Sequence, residues 1–190
     1  MFGAARMTYA DSYSFTAVEI PGASQIALSG INDAGQIAGS YTDSGGQHAF
    51  VDTNGVMTVL NYPGAEATFA WGINNAGVVV GDAYTTQGTA GFVYQNGNLI
   101  PFTRGPPMGI NNTGGLVGGA TYVQPNGNLR IAGFLDDNGV FSIVDFAGAA
   151  GGYGLTPLAI NDSGLIAGVF QDPQKGPAGV SGFVDDNGQY

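Results

Sequence analysis

Short apolar runs alternate along this chain with breaks rich in Gly, Asn and Asp, and the alternation itself repeats. In its first full copy the runs are Gln25 to Ile31, Gln36 to Tyr41, His48 to Asp52 and Val56 to Asn61. They are enriched in Val, Ile and Phe and bounded by Asn-Gly, Asp-Ala-Gly or Pro-Gly, the signals of strands joined by hairpins. No segment sustains a helical period, so almost no helix is expected. One turn is written four times: Ile31-Asn32-Asp33-Ala34-Gly35, Ile73-Asn74-Asn75-Ala76-Gly77, Ile110-Asn111-Asn112-Thr113-Gly114 and Ile160-Asn161-Asp162-Ser163-Gly164.

A period near forty residues with four short strands per period predicts an all-β fold, a four-bladed β-propeller of four-stranded antiparallel blades, because such a sheet must stack on copies of itself to bury both faces. Blades are expected over 24–62, 66–104, 107–146 and 155–190, making 1–190 a single domain. The chain begins on an extra fourth strand, Phe15 to Ala23, and its final residues, Asn187 to Tyr190, stand where the last blade needs one. The segment 13–21 is therefore expected to complete that blade and close the ring, hiding an open edge. The rival arrangements are an open solenoid and an eight-bladed dimer. Small residues before the repeated Ile, namely Gly30, Gly72, Gly109 and Ala159, suit four innermost strands converging on an axis. Turn lengths vary on one face only, and irregular loops on a rigid scaffold are where recognition or chemistry is expected.

His48-Ala49-Phe50, the runs Ile31 to Gly39 and Ile160 to Gly168, and Phe15 to Ala23 together resemble the bacterial HAF-repeat proteins. The later copies depart from the signature, reading Ala90-Gly91-Phe92, Ala132-Gly133-Phe134 and Ser181-Gly182-Phe183. The resemblance implies a β-repeat fold and a secreted or periplasmic location; it brings no reaction and no catalytic residues. The leader Met1 to Met7 lacks a continuous apolar stretch, so no signal peptide is visible.

Charge narrows the partners. Fourteen acids stand against Arg6, Arg104, Arg130 and Lys175, a formal net charge of -10. Four scattered cations cannot neutralise a run of phosphates, so no nucleic acid is expected, and no apolar stretch approaches a membrane span, so no membrane insertion is expected. The absence of cysteine removes disulfides and thiolate chemistry. One histidine and Asp-Asp-Asn-Gly turns without calcium-loop spacing give no metal site and imply no cofactor.

Broken symmetry within the repeat marks the candidate site. Trp71, the only tryptophan, shares a column with Ser29, Met108 and Leu158 and offers a stacking platform for a sugar or aromatic ligand. Asp82 occupies a column otherwise held by Ser40, Gly119 and Val169, where a carboxylate can act as hydrogen-bond acceptor or general base. Arg104 offers a charge partner for an anion, His48 a proton carrier at the start of a strand, and Tyr153 an aromatic cover between glycines. These residues predict a secreted recognition module for a glycan or small organic anion, near the axis on the long-loop face. The alternatives are a small-molecule lyase, isomerase or cyclase using proton transfer by Asp82 or His48, and a purely structural surface repeat.

Overall fold

A computed structural model of the chain describes residues 15–123, 127–145, 154–176 and 179–186. Among these the fold is all-β, with one 3-10 turn at Pro173–Lys175. Unit 1 consists of β1 (Gln25–Ile31), β2 (Ile37–Asp43), β3 (Gly46–Thr53) and β4 (Val56–Leu60). Unit 2 consists of β5 (Ala65–Ile73), β6 (Val79–Thr85), β7 (Gly88–Gln95) and β8 (Asn98–Phe102). Unit 3 runs through β9 (Pro107–Ile110), β10 (Leu116–Val123), β11 (Leu129–Asp137) and β12 (Val140–Val144). Unit 4 shows β13 (Thr156–Ile160), β14 (Ile166–Gln171) and β15 (Val180–Asp185). Every unit is an antiparallel meander; units 1 and 2 also meet in a single parallel pairing of Gln47 with Ala67.

Turn chemistry explains the meanders. The third and fourth strands of units 1 to 3 are joined by two-residue Asn-Gly turns, and both residues have positive φ: 54° and 83° at Asn54-Gly55, 53° and 78° at Asn96-Gly97, 51° and 93° at Asn138-Gly139. That geometry matches the strand twist, and Asn and Gly tolerate it best. The first and second strands are joined through the repeated Ile-Asn turn, whose Asn folds back on its own loop. Asn74 Oδ1 accepts from the Ala76 N–H at 3.1 Å and the Val78 N–H at 3.0 Å, and Asn32 and Asn161 repeat the pattern.

The core lies between units rather than within them. Ala38, Ala49, Val51 and Leu60 of unit 1 pack on Ala70, Val79 and Phe92 of unit 2. Val80 of unit 2 packs with Leu116, Ala120 and Phe134 of unit 3, and Val117 and Val144 with Leu155 and Ile166 of unit 4. The tip of the repeated Phe ring packs on the repeated Gly: a Cβ on Gly81 would meet Phe92 Cζ at 2.7 Å. Asn side chains tie the seams. Asn32 Nδ2 donates to the Asn74 carbonyl at 3.0 Å, Asn74 Nδ2 to the Asn111 carbonyl at 3.1 Å, and Asn111 Nδ2 to the Asn161 carbonyl at 3.0 Å.

One expectation is corrected in part. Residues 15–20 carry no strand and Phe15 is 93% exposed, so they do not supply a fourth strand beside β15. None of the sheets is closed among the described residues. The segment's alternate apolar residues Val18 and Ile20 are only partly buried and Thr16, Ala17 and Glu19 are exposed, so no neighbouring sheet covers it well enough to make it a strand. Residues 13–14 and 187–190, the rest of the expected closure, lie outside the described residues.

Candidate functional site

A groove of about 520 Å³ opens at the seam of units 2 and 3. Asp82, Tyr84 and Thr89 line it from unit 2, Thr121 and Ile131 from unit 3, and Arg104 from the connection between the two units. Asp82 and Tyr84 are two residues apart on β6, so their side chains share the face turned to unit 3.

Asp82 is the chemical centre of this groove. It is only 7% exposed, and its Oδ1 accepts the Trp71 indole N–H at 2.9 Å. Burial pushes its carboxyl above the usual carboxylate range; the bonds from Trp71 and from its own backbone N–H pull the other way and do not cancel it. Trp71 fixes Oδ1, and Asp82 is among the residues that line the groove.

Behind it stands an aromatic row. Phe69 stacks on Trp71 with ring centroids 5.8 Å apart and planes 10° apart, and tilts against Tyr84 at 5.3 Å. Trp71 does not itself line the groove: its N–H is spent on Asp82 and one ring face on Phe69. The ring offered to a ligand is Tyr84, half exposed beside Asp82. Tyr84 escaped the sequence reading because a tyrosine in a strand is ordinary; the available signal was its spacing of two from Asp82.

Arg104 borders the groove, but its guanidinium points away. Nη1 donates to Asp136 Oδ2 at 3.1 Å and to the Gly139 carbonyl at 3.5 Å, and the guanidinium sits 5.2 Å above the Phe141 ring. Arg130 pairs with Asp145 at 2.8 Å. Arg104 and Arg130 are thus each paired with an acid, while Lys175 Nζ donates to the Val180 carbonyl at 3.4 Å, away from this groove.

His48 lies apart from the groove, on β3 of unit 1. Its Nδ1 is 2.8 Å from Asn61 Oδ1 and its Nε2 3.2 Å from Asp43 Oδ1, with the Tyr41 ring beside it at 5.1 Å. The Gly45 backbone N–H, and after it His48, hold the Asp43 carboxyl below its ordinary range. Both ring nitrogens serve a turn and a neighbouring strand, so the structure does not bring His48 and Asp82 together. Tyr153 lies outside the described residues. Among the described residues no group of three or more His, Cys, Asp or Glu side chains could hold a metal, and no helix is long and apolar enough to cross a membrane.

No family model matches this sequence, and no curated protein is similar to it.

Proposed function

We propose that the chain is a propeller-type recognition module that binds a neutral glycan in the groove between units 2 and 3. The observation that carries the reading is Asp82, a buried carboxyl that lines the groove with its Oδ1 fixed by Trp71, beside the half-exposed ring of Tyr84. A sugar ring has an apolar face for an aromatic side chain and hydroxyl groups for a carboxyl oxygen, and pockets of this kind place few polar groups among larger flat ones. Thr89, Thr103 and Thr121 add hydroxyls along the same wall. A small organic anion is the weaker ligand, because Arg104 is bound to Asp136 and the free group in the groove is itself an acid. Export to the periplasm or beyond the cell, which the HAF-repeat resemblance implies, is consistent with a glycan ligand and belongs to the same proposal.

Proton transfer at this groove is the second reading, favoured by the raised pKa of Asp82, which keeps a proton available at higher pH than an ordinary carboxyl. It lacks a partner base, since His48 is engaged elsewhere.

The test is a titration of the isotope-labelled chain with neutral cello-, malto- and chito-oligosaccharides. Backbone signals of Asp82, Tyr84, Thr89 and Thr121 and the Trp71 indole N–H are expected to shift together. Tyr84→Ala and Asp82→Asn should each weaken binding about tenfold or more, the loss of roughly 1.4 kcal/mol, with the thermal midpoint of Tyr84→Ala kept. Shifts centred elsewhere, or unchanged affinity in both variants, would overturn the assignment. Turnover of a bound sugar that Asp82→Asn abolishes would move the conclusion to the catalytic reading.

A further inference from the structure

A second groove, of about 470 Å³, lies one seam earlier, between units 1 and 2. Tyr62 lines it from the connection between those units, and Thr85, Thr86, Gln87 and Thr89 line it from the hairpin of β6 and β7. The groove of Asp82 follows the same plan, with Arg104 from the connection after β8 and Asp82, Tyr84 and Thr89 from the same hairpin. Thr89 is common to both.

The two grooves flank that hairpin. Alternate residues of a strand face opposite sides, and on β6 Val79 packs in the cluster with unit 1 whereas Val80 packs in the cluster with unit 3. Thr85 lies on the side of Val79, and Asp82 and Tyr84 lie on the side of Val80. A ligand that leaves the Asp82 groove over the exposed Thr89 therefore enters the second one.

Both walls of the second groove are braced. The Tyr62 carbonyl accepts the Ala65 N–H at 3.1 Å across a turn with Gly64 at a φ of 75°, and the Tyr62 N–H donates to Thr68 Oγ1 at 3.1 Å. On the hairpin, the Thr85 hydroxyl donates to the Gly88 carbonyl at 2.8 Å and accepts the Gln87 N–H at 3.1 Å. These bonds fix the backbone that carries the Tyr62 ring and the exposed Thr86 and Gln87 side chains, so a ligand has little left to order. None of the described residues lining this groove is charged, in a chain that carries fourteen acids. An aromatic ring, hydroxyls and a carboxamide without charge suit a neutral sugar and offer nothing to an ion.

We infer that the ligand is a chain of sugar residues that crosses the β6–β7 hairpin and fills both grooves. This rests on the glycan reading of the Asp82 groove and adds that the substrate class is an oligosaccharide rather than a single sugar. Tyr84 and Tyr62 take sugar faces on the two sides of the hairpin, and Thr89 lies under the linkage between them. A chain already held beside Asp82 meets the second groove in an intramolecular step, which multiplies affinity without a new kind of contact.

The test is a chain-length series, from disaccharide to hexasaccharide, of cello-, malto- and chito-oligosaccharides, followed by calorimetry and by the signals of the isotope-labelled chain. In the series that moves the Asp82 and Tyr84 signals, affinity should rise about tenfold or more at one length, the length at which the Thr86 and Gln87 signals begin to shift. Tyr62→Ala should bring the hexasaccharide down to the affinity of the disaccharide and leave the disaccharide unchanged. Tyr62 also packs against the core of units 1 and 2; if its variant unfolds, Gln87→Ala, at an exposed turn position, should remove about threefold or more of the gain, the worth of one hydrogen bond. Affinity that stays flat with length, Thr86 and Gln87 signals that never move, or a full gain kept in both variants would overturn the inference while the Asp82 groove keeps its sugar. Oligosaccharides that leave the Asp82 and Tyr84 signals unmoved would overturn the glycan reading, and this inference with it.

Discussion

Asp82 and Ser40 occupy the same place in successive units, and their different fates show how a single residue turns a scaffold position into a site. Ser40 Oγ accepts the Ala70 N–H at 3.1 Å and so stitches units 1 and 2. Asp82 makes no such stitch; it turns to Trp71 and lines the groove. The cost is electrostatic. Because burial raises its pKa, the folded chain holds this proton at a pH where the unfolded chain, with an ordinary value of about 3.9, has released it. Folding is therefore favoured by this group below about pH 4, and the contribution is lost as pH rises through the raised folded value. Asp82→Asn keeps a carbonyl oxygen for the Trp71 N–H and removes the charge. Its thermal midpoint should exceed that of wild type at pH 7 and converge with it in acid, and a variant less stable than wild type at neutral pH would refute the account. The sequence singled out Asp82 because it breaks a column of Ser, Gly and Val; nothing local showed that Trp71 would be its support rather than the ligand platform.

Hairpins are the level at which sequence was most legible. The strands expected in the first unit match β1 to β4 to within two residues at every end, because Asn-Gly and Ile-Asn turns leave the backbone few alternatives. Gly97 measures that constraint. Its φ is 78° and a Cβ there would meet nothing within 4 Å, so Gly97→Ala isolates conformational strain from crowding. A loss of about 1–2 kcal/mol is expected in urea unfolding. Gly119→Ala, where φ is not positive and space is also open, should lie within about 0.5 kcal/mol of wild type. Equal effects would show that backbone conformation is not what these turns select. The N-terminal segment was read as a further strand on the same signals and shows none over residues 15–20. Apolar alternation permits a strand, but only a neighbouring edge and a covered face make one.

The whole molecule is held by seams, and the Asn ladder is their common part. Asn74, buried, serves three backbone groups at once: the Ala76 and Val78 N–H groups within its turn and the Asn111 carbonyl across the seam. Replacing it by Ala strands buried donors and should cost about 2–4 kcal/mol of stability. Asn161 makes the same bonds within its turn but sits exposed at the end of the ladder, so Asn161→Ala should cost clearly less. Similar losses for the two would mean that the carboxamides stabilise turns alone and not the stacking of units.

Sequence by itself determined the repeat, its four-strand unit, the turns and the columns along which units differ, because these follow from short-range backbone preference and from periodicity. Only the tertiary structure decided which column-breaking residues meet, that Arg104 is spent on Asp136, and that Tyr84 rather than Trp71 faces the groove. Those outcomes depend on the inclination between neighbouring sheets and on which long side chain reaches which partner. Such distances are set by packing across seams and leave no mark in the order of residues.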